Sequence, residues 1–257
     1  SFTETLAAGE GATPVSKQPR TVSRVISPEP TSDGDGVRLS RIIGGRQVDW
    51  VDPFLLLDHF GSEDPSDYMS GFPMHPHRGI ETVTYMLSGK VTHRDTMGNA
   101  GTIGAGDVQW MTAGGGLMHE EMPEPVDGHM EGLQFWVNLP ARLKMSPPAY
   151  QEFTASQLPV VRRDDGTVIR VIAGESDGVR GPVTEVAMQP TLVDVELAPG
   201  ARFEQPIPRG HAAFVYVFRG SARVGLDGQD GGTELSGRLA ILSDGDSLAA
   251  VAGEKGA

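Results

Sequence analysis

Cysteine is absent from the 257 residues, which excludes disulfides, iron–sulfur clusters, thiolate zinc sites and cysteine nucleophiles. Any metal must then be held by nitrogen and oxygen, and the field narrows to His, Asp and Glu. Basic residues are scarce: 21 Lys and Arg stand against 34 Asp and Glu, a net charge of −13. Such a surface repels phosphate backbones and anionic lipid, so direct nucleic-acid binding and membrane association are disfavoured. Apolar runs of membrane-spanning length are missing, and Ser1-Phe2-Thr3-Glu4-Thr5 lacks the basic start and apolar core of a secretion signal. The expected compartment is the cytoplasm.

What is present is a succession of short β-type runs between Gly, Pro and Asp punctuation. They cover 22–27, 37–43, 54–60, 80–87, 91–96, 108–111 and 133–137, and then 168–172, 192–197, 213–218, 223–226 and 239–242. Strands at such spacing predict an all-β sandwich or barrel. Residues 1–20, rich in Ala, Gly, Thr and Pro without periodicity, read as a flexible N-terminal arm. A helical turn and a double proline break the strand pattern after Pro140. The expected division is therefore a first domain over 21–140, a linker over 141–153 and a second domain over 154–257. Tyr85-Met-Leu-Ser-Gly89 is echoed by Tyr216-Val-Phe-Arg-Gly220, and Ile103-Gly-Ala-Gly-Asp107 by Leu242-Ser-Asp-Gly-Asp246, in the same order, which points to duplication.

Four of the seven histidines fall between Gly71 and Glu124. His75 and His77 are two residues apart, as are His119 and Glu121, and on extended backbone a period of two puts both members of a pair on one side. Two such pairs inside a barrel can surround a borderline divalent metal with three neutral nitrogens and a carboxylate. Glu120, alternating with the second pair, should face away. His59, His93, His129 and His211 are read as non-ligands. Trp110, Phe135 and Trp136 lie in apolar strands and read as core. Gly114-Gly115-Gly116 lacks the Lys and helix of a phosphate cradle and reads as a tight hairpin.

The segments D-P-F-L-L-L-D (52–58), H-P-H-R-G-I-E-T-V-T-Y (75–85), G-D-V-Q-W-M-T-A-G (106–114), H-E-E-M-P (119–123) and Q-F-W-V-N-L-P (134–140) resemble the pirin family, and the likeness runs from about Val37 to Asp246 through Q-P-I-P-R-G (205–210). That resemblance implies a bicupin, two β-barrels face to face, with one iron, as Fe(II), in the N-terminal barrel and His75, His77, His119 and Glu121 as its ligands. Iron, nickel, copper, manganese and zinc all accept this donor set. The family includes quercetin 2,3-dioxygenases and regulators that bind partner proteins. The first implies oxidation of a flavonol or other planar enol by dioxygen, with Glu121 as ligand and catalytic base. The alternative is an iron-containing co-regulator that docks on an enzyme or transcription factor according to its redox state, for which the acidic charge suits a basic partner.

Around that centre, Glu81 is the rival carboxylate, because cupins in general place a ligand Glu shortly after H-x-H. Asp58 and Phe72 match positions at the mouth of the pirin pocket, where Asp58 would orient an imidazole N–H and Phe72 would stack on a flat ligand. Arg78 is expected to hold an anionic substrate or to pair with Glu81 or Asp58. In the second half Gln205 to His211 offers no imidazole pair, so that barrel is expected to be metal-free. The sequence stops at Val251–Ala257, where pirins continue with closing strands, so the second barrel is expected to be incomplete with an exposed edge.

Overall fold

The computed structural model describes residues 17–124 and 128–257; residues 1–16 of the expected arm lie outside that range. In chain order the first half forms β1 (Val22–Ile26), β2 (Glu29–Asp33), β3 (Val37–Ile43), β4 (Phe54–Ser62), β5 (Phe72–His77) and β6 (Ile80–Ser88). It continues through β7 (Lys90–Asp95), β8 (Ala100–Gly104), β9 (Val108–Thr112), β10 (Leu117–Glu124), β11 (Met130–Asn138) and β12 (Ala149–Phe153). The second half adds β13 (Val160–Arg162), β14 (Val168–Ala173), β15 (Glu175–Ser176), β16 (Val179–Arg180), β17 (Leu192–Glu196) and β18 (Arg202–Pro206). It ends with β19 (Phe214–Val217), β20 (Ala222–Asp227), β21 (Asp230–Leu235), β22 (Arg238–Leu242) and β23 (Ser247–Ala252). Short 3-10 turns interrupt them, one of them at Ala141–Leu143 after Pro140, and among the described residues there is no α-helix. The protein is an all-β bicupin.

A seven-stranded sheet in the order β12-β9-β6-β11-β4-β3-β2 and a four-stranded sheet, β5-β10-β7-β8, make the first barrel. The second has a four-stranded sheet of matching order, β18-β23-β20-β21, with smaller sheets β1-β22-β19 and β13-β14-β17. The shared order is the structural form of the duplication. β6 and β11 carry β-branched and aromatic residues on both faces because they are covered on both. Val83, Tyr85, Leu133, Phe135 and Val137 pack with Ile26, Ile172 and Leu239 in one core joining the barrels, while Phe203, Val224, Leu235 and Leu248 fill the second barrel.

Hydrogen bonding does not follow the sequence division. β12, inside the expected linker, pairs with β9 of the first barrel. β1, assigned to the first domain, pairs with β22 of the second. The last residues of the expected arm are likewise ordered on the second barrel: Arg20 is 1% exposed. Its guanidinium donates to the carbonyls of Gly245, His211, Ser243 and Pro208 at 3.1, 2.8, 3.1 and 2.7 Å. No periodicity announces such an anchor, because one side chain makes it. Arg20→Met should strip those carbonyls of a charged donor and cost about 3 kcal/mol, lowering the thermal midpoint by roughly 5–10 °C. A midpoint unchanged by the substitution would mean that water takes over the donor's role.

A second polar junction ties barrel to barrel. Glu131 on β11 takes His59 Nε2 on Oε1 at 2.9 Å, while the other ring nitrogen of His59 meets Tyr216 Oη at 2.8 Å. Arg219, from the second half, donates to Glu131 Oε2. The His59 bond, against the opposing effect of burial and with help from Arg219, holds the Glu131 carboxyl down at about 2. Because the folded value lies below the unfolded one, this carboxylate contributes stability above about pH 4.5 and loses it as pH falls towards 2. The contribution is on the order of 3 kcal/mol. Glu131→Gln should flatten the acid limb of a stability–pH curve measured by urea unfolding; an unchanged limb would remove Glu131 from the account.

Candidate metal centre

The first barrel's interior collects the ligand-type side chains through strand alternation. On β10, Leu117, His119, Glu121 and Pro123 point in and are buried, while Met118 and Glu124 face solvent and Glu120 is half-buried against Arg94. β5 lies antiparallel beside it with His75 opposite His119 and His77 opposite Leu117. The chain turns from β9 to β10 at Gly114–Gly116, with the Gly116 N–H on the Ala113 carbonyl at 3.0 Å. That turn joins two different sheets, so it is a corner where the sequence suggested a hairpin. Gly114 sits at φ +52, where a Cβ would stand 2.0 Å from the Ser146 carbonyl oxygen, so only glycine fits.

Three imidazoles converge. One nitrogen from each of His75, His77 and His119 lies within 4.8 Å of the others. Nε2 of His75 is 3.0 Å from Nε2 of His77 and 3.1 Å from that of His119. His75 Nδ1 is 2.8 Å from the Pro73 carbonyl, which must accept from it. The proton therefore sits on Nδ1, and the Nε2 lone pair faces the other rings. Burial, and then the neighbouring imidazoles, push His77 and His119 down to about 4, so both are neutral donors near neutral pH. Nitrogen lone pairs aimed at one another are unfavourable unless a cation lies between them. Two nitrogens each about 2.1 Å from one ion and at right angles are about 3.0 Å apart, so His75 and each of its two neighbours are spaced as adjacent corners around a divalent metal, with all three nitrogens within 4.8 Å. His119 Nδ1 is buried without a partner.

Glu121 shares the inner face of β10 but stands outside that nitrogen cluster. Its Oε1 accepts from Thr84 Oγ1 at 3.3 Å and its Oε2 from Gln134 Nε2 at 3.2 Å. Both partners come from the opposite sheet. The sequence reading gave neither a role, although Thr84 and Gln134 face each other in register across β6 and β11. Glu81 is an odd number of residues from Thr84 on the same uninterrupted strand and therefore faces the other way. It accepts from Thr112 Oγ1 at 2.8 Å, and burial raises its pKa. Glu81 is thus set against the core between the barrels and is withdrawn as the rival carboxylate.

Three further expectations are corrected. Asp58 is buried and paired with Arg41, from Nε at 2.9 Å and Nη2 at 2.8 Å, and no imidazole is among its hydrogen-bond partners. Arg78 is exposed and meets Met145 Sδ at 3.3 Å; it pairs with neither Glu81 nor Asp58. Trp136 alternates with Phe135 on β11, so only Phe135 enters the core, and the indole of Trp136 lies edge-on to His77 with centroids 5.3 Å apart. Trp110 is buried in the core. Phe72 lines, with Phe60, Thr84, Glu121 and Gln134, a cavity of about 20 Å³ beside the centre. His93 faces the interior as well, but its Nε2 lies 2.8 Å from Glu152, and neither it, His59, His129 nor His211 joins the cluster.

These features can be set beside known proteins. The profile described as Pirin matches residues 36–137. A pirin-like protein of Caulobacter vibrioides is 47% identical over 230 residues, 89% of this chain and 82% of its own. Human pirin is 42% identical over 222 residues, 84% of this chain and 72% of its own. The crystal structure of a quercetin 2,3-dioxygenase from Acinetobacter baumannii superposes with a TM-score of 0.82 at 34% identity, covering 93% of this chain and 84% of that one. The paired ligand strands and the likeness along most of the chain lead to one conclusion: this protein belongs to the pirin family.

Proposed function

We propose that the protein is a metal-dependent dioxygenase of the quercetin 2,3-dioxygenase type, with one Fe(II) held by His75, His77, His119 and Glu121, acting in the cytoplasm on a flavonol or other planar enol. The observation that carries this reading is the convergence of three ring nitrogens beside a buried carboxylate. The 34% identity to a protein described as a quercetin 2,3-dioxygenase supports the choice of chemistry. When bound, the metal supplies Lewis acidity towards a substrate oxygen and a place for dioxygen. Glu121 is the group positioned to take a proton from an enolic hydroxyl, and Thr84 and Gln134 hold it. His75 is the least buried of the three imidazoles, so substrate approaches from its side of the barrel.

One observation favours a second reading. The cavity beside Glu121, about 20 Å³, accommodates little more than one water, so a flavonol ring has to lie across the mouth or displace Phe72. A regulator that displays the metal's state to a basic enzyme or transcription factor needs no such room. Met74 and Met118, 37% and 41% exposed, directly precede His75 and His119 and give that surface an apolar component. Aerobic turnover of quercetin by protein reconstituted in turn with iron, nickel, copper and manganese, with metal content measured, decides between them. Turnover above that of free metal supports the oxygenase; its absence with every metal leaves the regulator.

A further inference from the structure

The polar junction between the barrels has a chemistry beyond holding them together. Asp58 on β4 is in register with Gln134, which reaches Glu121 inside the first barrel. His59, next in the chain, therefore faces the other way, towards the second barrel. There Tyr216 Oη lies 2.8 Å from its Nδ1 and Glu131 Oε1 lies 2.9 Å from its Nε2. The rings of Tyr216 and Phe218 stand edge-on to the imidazole, with centroids 5.7 and 5.8 Å away.

The direction of both hydrogen bonds can be assigned. Glu131 is ionised above about pH 2 and can only accept, so in the neutral ring Nε2 carries the proton. Nδ1 is left with a lone pair, and the Tyr216 hydroxyl donates to it. Arg219 donates to the other oxygen of Glu131, and His129 Nε2 lies 3.6 Å from that oxygen. Burial, and then the charge of Glu131, push the Tyr216 phenol up to about 12, so it holds its proton at neutral pH and is no nucleophile. Hydroxyl, imidazole and carboxylate form a line in which the imidazole is placed to take that proton.

A phenol that has lost an electron is a strong acid, so a tyrosine is oxidised readily where a base stands ready for its proton. The four tyrosines differ in this respect. Tyr68 donates to the Gly128 carbonyl at 2.9 Å, which takes up no proton. Tyr85 and Tyr150 donate to Asp194 and Asp95 at 2.7 and 2.8 Å. An aspartate is a weaker base than an imidazole, about 3.9 against about 6.5 on the pKa scale. These two are further occupied, Asp194 by Arg170 at 3.4 Å and Asp95 by Asn99 and the Met97 N–H. Tyr216 is the tyrosine that meets an imidazole.

We propose that Tyr216 is a redox-active tyrosine, giving one electron to an outer-sphere one-electron oxidant while its phenolic proton moves to His59 Nδ1. The O–H bond of Tyr216 breaks and an N–H bond forms on His59. The products are a neutral tyrosyl radical and an imidazolium paired with Glu131. A one-electron reductant reverses the step, the proton following from His59 to Tyr216. The protein thereby gains a place between its barrels to hold one oxidising equivalent, independent of the metal and of the proposed oxygenase activity.

The test is rapid mixing of the full chain, with redox-inert zinc in the metal centre, against hexachloroiridate(IV), followed by freeze-quench electron paramagnetic resonance. Iridium(IV) becomes iridium(III) as the radical forms. The expected result is a tyrosyl signal that ring-deuterated tyrosine narrows, that is absent from Tyr216→Phe, and that Tyr85→Phe and Tyr150→Phe leave unchanged. Formation should be slower in D2O, and about tenfold or more slower in His59→Leu, which removes the base. Should His59→Leu fail to fold, the D2O measurement decides together with Tyr216→Phe, which deletes a single oxygen. Absence of a signal, a signal that survives in Tyr216→Phe or that deuterated tyrosine leaves unchanged, or a rate that D2O or His59→Leu does not alter overturns the proposal.

Discussion

His119→Ala should reduce metal content from one equivalent per chain to nearly none after dialysis against a weak chelator. The three Nε2 atoms share one focus, so removing one leaves two imidazoles and a carboxylate already held by Thr84 and Gln134. Loss of a direct ligand should exceed the 10–100-fold typical of an outer-shell partner, so more than about 100-fold in affinity is expected. His75→Ala should behave alike. His93→Ala is the informative control: this histidine is buried in the same barrel but engaged by Glu152, and its loss should leave the metal in place. A full equivalent retained in both His119→Ala and His75→Ala would refute the assignment. Two equivalents in the wild type would mean that the second barrel holds metal despite Gln205.

Glu121→Gln carries the other large effect. The variant keeps the side chain's shape but loses the base, and removal of a general base typically slows turnover by about 10²–10⁴-fold. It also puts an amide where Thr84 and Gln134 both donate. Its oxygen can accept from Gln134 while its nitrogen donates to the Thr84 hydroxyl, which accepts as well as donates, so the side chain can keep its place. Metal-reloaded Glu121→Gln should therefore bind quercetin better than it turns it over, seen as a fall in kcat larger than any rise in KM. Glu81→Gln, on the far face of β6, should change the rate less than about threefold under the same conditions. Near-normal oxygen uptake by Glu121→Gln would mean that the proton leaves by another route and that the flavonol chemistry is incidental.

The convergence of the three imidazoles, and the carboxylate on the same inner face, were legible in the sequence because strand alternation is a local rule: H-x-H and H-x-E each give one face from two residues' separation. The same rule, applied one strand further, removes Glu81 and separates Trp136 from Phe135, and the sequence reading stopped short of both. Apolar strands such as β3, β6 and β14 were visible in composition. β2, with Glu-Pro-Thr-Ser-Asp, and β21, with Asp-Gly-Gly-Thr-Glu-Leu, were not, because edge strands facing solvent need no apolar pattern. Long-range pairing was the hardest to see. Nothing near Asp58 names Arg41 as its partner, and nothing near Gln134 names Glu121, since each pair is made by register between strands far apart in the chain.

The attachment of Arg20 and β1 to the second barrel has a consequence for how the protein is made. Arg20 and its acceptor Gly245 are 225 residues apart in sequence, and Val22 pairs with Leu242. On a ribosome adding about 5–20 residues per second, β1 emerges first and waits ten seconds or more for β22. The first barrel can close in that interval, since all its sheet partners lie between β2 and β12, while β1 remains an unpaired, valine-bearing edge. Contacts of such sequence separation are slow to form. Docking of β1 onto β22 is then a late event in folding, and the nascent chain is open to pairing with a neighbour until that docking is complete.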